Sequence, residues 1–533
     1  MMAAWLTVVS ALFTLSTVHS FVPSHKKLSA TACSHWFRFS RSFLHSKQAP
    51  EQELLDYDWK TQWYALTFNS YIPNPSESAE AVPAAVFGHP LVLWRSEDDG
   101  EVHCADDVCP HRSAALSEGR LRDGNLECLY HGWEFESKGQ CVRIPQLEKG
   151  AEIPKRACLK MRPCVIVEGL VWAWMGDEAP TTEPPRQNDG LDDWTGEKKG
   201  CFVNDVQIDL PYDHSYLAEN LIDPAHVAIS HDRTQGGDVR ENAQPYEMIM
   251  DHDSISSQGF TGKFRYADKE NATWINLKFE APGIIRQTGN PRGKIQFGAA
   301  LHCMPLALGR SRLLFRAYFG GLPWLATRII ASRPTWQRNL NSCKILEQDV
   351  GLITTQEDHF SRTNHTLKDD FLLLKSSDVF VGAYRNWMDR VGQGMPWFQG
   401  LATQSRNVNN HLSGFQLPPS LDPANHRSSG QDVVETRYHR HVMHCPATRK
   451  ALANVQLLKK VCFICSVAVI TATAGLAPTI SSSSNILVKR LVSFGLVPAI
   501  PVFCIATALL RKLESHFFVS FKRKDQLRRE KGV

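Results

Sequence analysis

Between residues 59 and 177, short apolar runs alternate with clusters of Gly, Pro and Asp. The runs include Trp63-Tyr64-Ala65-Leu66, Leu91-Val92-Leu93-Trp94, Cys164-Val165-Ile166-Val167 and Leu170-Val171-Trp172-Ala173-Trp174. Short runs punctuated in this way predict a small antiparallel β domain. A stretch rich in Pro, Thr, Asp and Gly at 178–199 predicts a linker. Beyond it a helical pattern at 216–229 leads into strand-like runs at 273–277 and 312–316, and a second helical pattern covers 336–353. Residues 403–431 read as loop, and no internal repeat is present. Two uncharged apolar runs follow, at 461–488 and 491–510, each close to the ~20 residues that span a bilayer. The pattern predicts an α+β chain: an all-β domain at 59–177, a second domain at 200–430, a two-helix transmembrane hairpin within 461–510 and a basic tail at 511–533.

Charge places these parts. Lys459 and Lys460 precede the apolar pair, Arg511 and Lys512 follow it, and Lys522-Arg523-Lys524 lie in the tail, with Lys489-Arg490 alone between the runs. Positive flanks of this kind put the main domain and the tail on one face of the membrane; a buried helical hairpin in a soluble protein is the alternative. At the N-terminus an apolar stretch at 3–15 and Val18-x-Ser20 resemble a signal sequence. Residues up to 50 then carry Lys26, Lys27, Arg38, Arg41 and Lys47, and the first acidic residue is Glu51. A basic, Ser-containing, acid-free segment is the composition of a transit peptide. Residues 1–50 are therefore expected to be a bipartite plastid leader, with a secreted or signal-anchored protein as the plainer reading. A net charge of +4 spread along 533 residues gives no sign of nucleic-acid binding. The 14 cysteines are too dispersed for a disulfide scaffold, which leaves metal ligation or free buried thiols.

Two constellations carry chemistry. Cys109-Pro110-His111, followed after sixteen residues by Cys128-Leu129-Tyr130-His131, pairs one Cys with one His twice. A Rieske [2Fe–2S] centre requires this donor set: thiolates hold one iron and neutral imidazoles the other. Zinc fingers use the same residue types but pair them as C-x-x-C and H-x₃₋₅-H. Pro110, Gly119, Gly124 and Gly132 supply turns for the two loops. Cys104 and Cys141 do not fit the spacing and read as buried structural thiols. The second constellation is Asn220-x₂-Asp223-x₂-His226-x₄-His231. Alone, a His-x₄-His pair among 21 histidines arises about once by chance. Two His and one carboxylate, however, form the facial site of non-haem Fe(II) oxygenases. Spacing of i,i+5 sets the histidines roughly 140° apart on an ideal helix, so the helix is expected to distort or end between them. The carboxylate is Asp349, in Leu346-Glu347-Gln348-Asp349, with Asp358 as rival; a solvated helix face is the ordinary fate of either.

These motifs, in this order and followed by a membrane pair, resemble the plastid Rieske oxygenases, the group of pheophorbide a oxygenase, chlorophyllide a oxygenase and the translocon-associated Rieske protein. Tyr384-Arg385-x-Trp387 resembles a late motif of the same group. The resemblance covers nearly all of the chain after the leader. It implies a helix-grip second domain, homotrimers, reduced ferredoxin as electron donor, O₂ as co-substrate and an amphiphilic chlorophyll-derived tetrapyrrole as substrate, at a plastid membrane with the soluble domains facing the stroma. The activity it implies is pheophorbide a oxygenase-like monooxygenation, with chlorophyllide a oxygenase-like oxidation or phyllobilin hydroxylation of the translocon-associated kind as alternatives. It also implies cluster binding by Cys109, His111, Cys128 and His131, and mononuclear iron binding by His226, His231 and Asp349. Asp223 would bridge a cluster histidine to an iron histidine, with Asn220 beside it in the catalytic set. Where the group often carries a C-x-x-C thioredoxin target, this chain has the single Cys445, in His444-Cys445-Pro446-Ala447-Thr448. His439, His441, His444 and Cys445 have the residue types of a metal site but read rather as a polar surface ahead of the membrane, and Cys462-x-x-Cys465 as a structural pair within the first apolar run. A non-catalytic electron carrier, which needs the four cluster ligands alone, is the alternative of another class.

Overall fold

The computed structural model describes residues 57–186, 202–234, 239–267, 272–289, 296–363, 365–397, 399–403, 436–482 and 497–520. The leader, part of the linker and most of the 403–431 loop lie outside these. The N-terminal part is all β, in three small antiparallel sheets. β1 (Trp63–Phe68) pairs with β11 (Leu170–Trp174), which pairs with β10 (Cys164–Val167). A second sheet runs β2 (Val82–Val86), β3 (His89–Arg95), β4 (Val102–Asp106) and β9 (Met161–Arg162). The third is a meander of β5 (Arg120–Arg122), β6 (Asn125–Cys128), β7 (Trp133–Phe135) and β8 (Cys141–Arg143). Three of the hairpins turn on X-Gly pairs with both residues at positive φ: Phe87-Gly88, Asp123-Gly124 and Glu168-Gly169. Such two-residue turns match the twist of the strands they join.

The second part is a seven-stranded antiparallel sheet with helices. In spatial order its strands are β12 (Phe202–Leu210), β18 (Arg310–Gly320), β17 (Gln296–Ala307), β16 (Ile284–Gly289), β15 (Ile275–Glu280), β14 (Gly259–Tyr266) and β13 (Tyr246–Ser256). Between β12 and β13 the chain forms α1 (His214–Ile222) and the four-residue α2 (Val227–Ser230). After β18 come α3 (Trp324–Ala331), the 28-residue α4 (Thr335–Arg362), α5 (Leu367–Asp370) and α6 (Val379–Val391). α1 packs on β17 and β18, α4 on β12 and α6 on β13.

The first β sheet and the large sheet share one core, in which Trp63, Leu66, Trp172 and Trp174 join Val206, Ile208, Leu301 and Leu313. Polar links cross the same boundary. Arg312 Nη1 donates to the Leu66 carbonyl at 3.0 Å while its fork holds Asp209 at 2.6 and 2.9 Å. The Phe87-Gly88 turn donates to the carbonyls of Pro305 and Leu306 at 2.8 and 2.7 Å. A separate small core, with Trp94, Leu116, Leu126 and Phe135, underlies the β5–β8 meander and includes Cys109 and Cys128.

Downstream, a π turn (Tyr438–Val442) leads into α7 (Pro446–Ser482), and α8 (Val497–Ser515) lies against α7, with Lys459 bonded to Glu514. Among the described residues one helix, α7, is long and apolar enough to cross a membrane. The end of the first apolar run and the charged break after it fall at 483–496, outside the described residues.

Candidate metal centres

The first site is built by two loops. Cys109 follows β4, and its N–H and C=O are fixed by the Ala114 carbonyl and the Ser113 N–H at 2.8 and 2.9 Å. Cys128 ends β6. Gly132, at φ +73, turns the chain back by donating to the Cys128 carbonyl at 2.8 Å, and an added Cβ there would press on Pro145 at 3.1 Å. Gly119 has no room either, since a Cβ would fall 2.3 Å from the Glu127 carbonyl. Both thiols are 2% exposed, whereas His111 is exposed and His131 half-buried. The imidazole centroids are 4.5 Å apart, and His111 stacks on Trp133 at 4.6 Å and 8°. Burial pushes the Cys109 thiol up to about 11, so binding a metal here must release its proton. Among the described residues, the one group of three or more metal-binding side chains that converges within 4.8 Å lies elsewhere. The two Cys and two His therefore do not close on one point, as four zinc ligands would. Buried thiols beneath outward imidazoles fit a two-iron cluster.

The converging group is His226, His231 and Asp349. α1 stops at Ile222 with Asp223 as its C-cap, and the two histidines flank α2, His226 before it and His231 after it. This is the break that the i,i+5 spacing anticipates. Their rings stand 5.3 Å apart at 76°. Asp349, on α4, sets Oδ2 3.2 Å from His231 Nε2 and 3.8 Å from His226 Nε2. Its other oxygen accepts from the Ser230 hydroxyl. Burial pushes the Asp349 carboxyl up, but His231, His226 and Ser230 outweigh it and hold the group below its ordinary value. His231 Nδ1 lies 2.9 Å from Gln348 Oε1, and Gln348 Nε2 donates to Thr234 Oγ1 at 2.7 Å. In this orientation Gln348 presents its amide oxygen to Nδ1, an arrangement that favours the proton on Nδ1 and leaves the Nε2 lone pair for a metal. Two imidazole nitrogens and one carboxylate, all on one side, are the donor set of a mononuclear iron site with open positions.

Asp223 accepts from the Ala225 N–H at 2.7 Å and places Oδ2 3.5 Å from His226 Nδ1. Asn220 is half-buried on α1, outside the converging group. Asp358 lies 2.5 turns further along α4 than Asp349 and faces Arg362 at 3.5 Å. Arg385, fully buried, binds Glu219 of α1 at 2.5 Å and the Gln399 carbonyl at 2.9 Å, while Trp387 donates to the Ser256 carbonyl at 2.8 Å. The late motif thus braces the helix that leads to His226.

Ser230, Gln348 and Glu219 escape sequence reasoning, since each takes its role from a partner more than a hundred residues away. One expectation is corrected. His441 and Cys445 are not surface: they are 0% and 1% exposed. His441 Nδ1 donates to the Gln207 carbonyl at 2.7 Å, and Cys445 Sγ accepts from Thr448 Oγ1 at 3.2 Å and lies 3.4 Å from the Asn339 amide. Burial drives the Cys445 thiol up, yet His441, Thr448 and Tyr71 bring it to about 6. Cys104 and Cys141 are buried, as expected of structural thiols.

Comparison with known proteins agrees with the donor sets. The Rieske [2Fe-2S] domain model matches residues 62–160, which hold all four first-site residues. The pheophorbide a oxygenase model matches residues 279–366, from β15 through α4. Protein TIC 55 of Arabidopsis thaliana is 35% identical over 81% of this chain and 79% of its own length. Pheophorbide a oxygenase of the same plant is 28% identical over 77% and 75%, and chlorophyllide a oxygenase of Chlamydomonas reinhardtii 28% over 62% and 48%. The fold and the two donor sets define a Rieske-type non-haem iron oxygenase. The chain belongs to the chloroplast Rieske family that contains Protein TIC 55, pheophorbide a oxygenase and chlorophyllide a oxygenase. It is an oxidoreductase of the monooxygenase kind that uses a [2Fe–2S] cluster and mononuclear iron. Rieske oxygenases take electrons from ferredoxin-type partners and use O₂.

Proposed function

We propose that this protein is a membrane-anchored monooxygenase that inserts one oxygen atom from O₂ into a chlorophyll-derived tetrapyrrole. The observation that carries the reading is the convergence of His226, His231 and Asp349 within 4.8 Å in a chain that also has the Cys109/His111/Cys128/His131 set. A pure electron carrier has no use for the former. Pheophorbide a oxygenase-like chemistry, oxidation of a ring methyl and hydroxylation of a breakdown product are the candidate reactions. The chain is more similar to Protein TIC 55 than to pheophorbide a oxygenase, so the three stand side by side until a product is identified.

When bound, the cluster supplies electrons one at a time and the mononuclear iron activates O₂. The chain's own residues prepare that site. Gln348 holds His231 in one tautomer, Ser230 fixes the roll of Asp349, and Asp223 stands against His226 Nδ1 to take or return its proton. By family resemblance Asp223 also receives a cluster histidine from a neighbouring subunit of a homotrimer, so that one carboxylate joins the two centres.

The reading extends to the chain's organisation: a plastid leader at 1–50, a Rieske domain at 59–177, a helix-grip domain at 200–430, a membrane pair within 461–510 and a stromal basic tail at 511–533. The apolar α7 supports the anchor, and chloroplast relatives support the compartment. Single-turnover oxygenation tests the activity. Pre-reduced protein is mixed with O₂ and a panel of chlorophyll catabolites, beside a His226→Ala control. Product from the parent chain alone establishes the oxygenase and names the substrate. Oxidation of the cluster without product from any pigment refutes the tetrapyrrole assignment, and loss of mononuclear iron binding as well would return the carrier reading.

A further inference from the structure

α4 has two working faces. On one, Asp349 meets the two histidines, and seven residues on, Gln356 donates to Glu219 of α1 at 3.0 Å. Two residues along a helix turn the side chain by 200°, so Glu347 points away from Asp349. Asn339, Cys343 and Glu347, spaced by four, form a stripe on that far side. Each meets the segment from which α7 rises: Asn339 meets Cys445, Cys343 meets His441 and Glu347 meets Arg437.

The last contact is the firmest. Arg437 is 2% exposed, Glu347 2%, and the guanidinium fork closes on both carboxylate oxygens at 2.7 and 2.5 Å. The same arginine donates from Nη1 to the His516 carbonyl at 2.5 Å and from its backbone to the Phe518 carbonyl at 3.1 Å, both just past α8. Trp336 stacks on Phe517, and Leu340, Val442, Leu452 and Phe517 form a small core around the joint. A buried ion pair is no reliable source of stability. A planar two-point fork does fix direction, which a lysine ammonium cannot.

We propose that Arg437 is a positioning residue for the Asp349 carboxylate: by clamping Glu347 it sets the roll of α4, so that the seating of the membrane root governs how tightly the mononuclear site holds its metal. The inference rests on Asp349 being an iron ligand and adds that its placement depends on the C-terminal anchor.

The test uses the full chain in lipid nanodiscs, stripped of mononuclear iron and titrated with Fe(II), and with Co(II) as a spectroscopic probe of ligand geometry. Arg437→Met should weaken Fe(II) binding by about tenfold, the low end of the cost of disturbing the support of a ligand, because it acts through the roll of α4 and not on Asp349 directly. It should also alter the Co(II) ligand-field bands while the visible spectrum of the Rieske cluster stays unchanged. Arg437→Lys keeps the charge but loses the fork and should fall between; it decides the matter if Arg437→Met does not fold. A Glu347→Met/Arg437→Met double variant removes both charges and should stay about tenfold weak. Parent-like Fe(II) affinity and Co(II) bands in Arg437→Lys, or full recovery in the double variant, would overturn the proposal. Asp349→Ala tests the underlying reading by itself. If that variant binds Fe(II) like the parent, the ligand assignment fails whatever Arg437 does.

Discussion

Gln348 shows how much of a metal site lies behind its ligands. It does not converge with the two histidines and the carboxylate, yet it decides which nitrogen of His231 is free. Gln348→Leu keeps the volume and removes the acceptor, and should weaken Fe(II) binding by roughly 10- to 100-fold in equilibrium titration. Ser230→Ala should have a smaller effect in the same direction, and Asp358→Asn should have none. Loss of iron in the last would move the carboxylate assignment to Asp358. Asp106 makes a different prediction. It is held at about 2, since bonds from His89 and Arg162 outweigh its burial. A depressed carboxylate stabilises the fold above its unfolded value near 4 and loses that contribution as pH falls toward 2. Asp106→Asn should flatten that part of the acid-unfolding curve followed by Trp fluorescence. At this scale the sequence speaks clearly where a motif is contiguous. Cys109, His111, Cys128 and His131 lie within two short segments, so spacing alone singles them out. Gln348 lies beside Asp349 in plain sight, but its role depends on how α4 registers against residues 230–234, and no local pattern encodes that.

The helices around the iron site behave as a braced set. Glu219 on α1 receives Arg385 from α6 and Gln356 from α4, so one carboxylate ties three helices. Arg385→Met leaves that carboxylate buried without its cation and should destabilise the protein by about 3–5 kcal/mol. A Glu219→Gln/Arg385→Met double variant should recover much of the loss, as differential scanning calorimetry can determine. Element boundaries were legible in unequal measure. The break between His226 and His231 follows from helical geometry alone. The helical pattern at 336–353 extends to Arg362 in the structure, because its last turns carry Glu357 and Asp358 on a buried side that polarity conceals. The root at 438–445 reads as polar surface because His and Arg dominate it. His439 does stay exposed, but His441 and Cys445 are buried because Gln207 and Asn339 meet them from distant elements, as Glu347 meets Arg437 just before them.

Across the whole molecule, the Rieske part and the iron part are welded by shared apolar core and by arginines that reach from β18 to backbone carbonyls of the other side. Arg312 holds Asp209 and Leu66 together, and Asp209 in turn faces His444 at 3.2 Å in the root of α7. Arg312→Met should cost about 3–5 kcal/mol, since Asp209 would be left buried with one partner. The loss should appear as a lower single melting transition. Two separate transitions would mean that the two parts unfold independently. The α+β composition and the order of the parts were visible in the periodicity of the chain. The common core was not, because strands that read as one small domain also contribute to the core of the next.

The cluster loops stand apart from that weld. Their apolar support is a satellite of thirteen side chains, including both cluster cysteines, while the main core contains neither. Nothing in the main core therefore waits on the cluster before it can pack. His111 lies open to solvent, so a cluster can be delivered from outside to an already folded chain. In biogenesis, loading would be a late step that can fail without destroying the protein, leaving a colourless but intact population that a subsequent delivery could still mature.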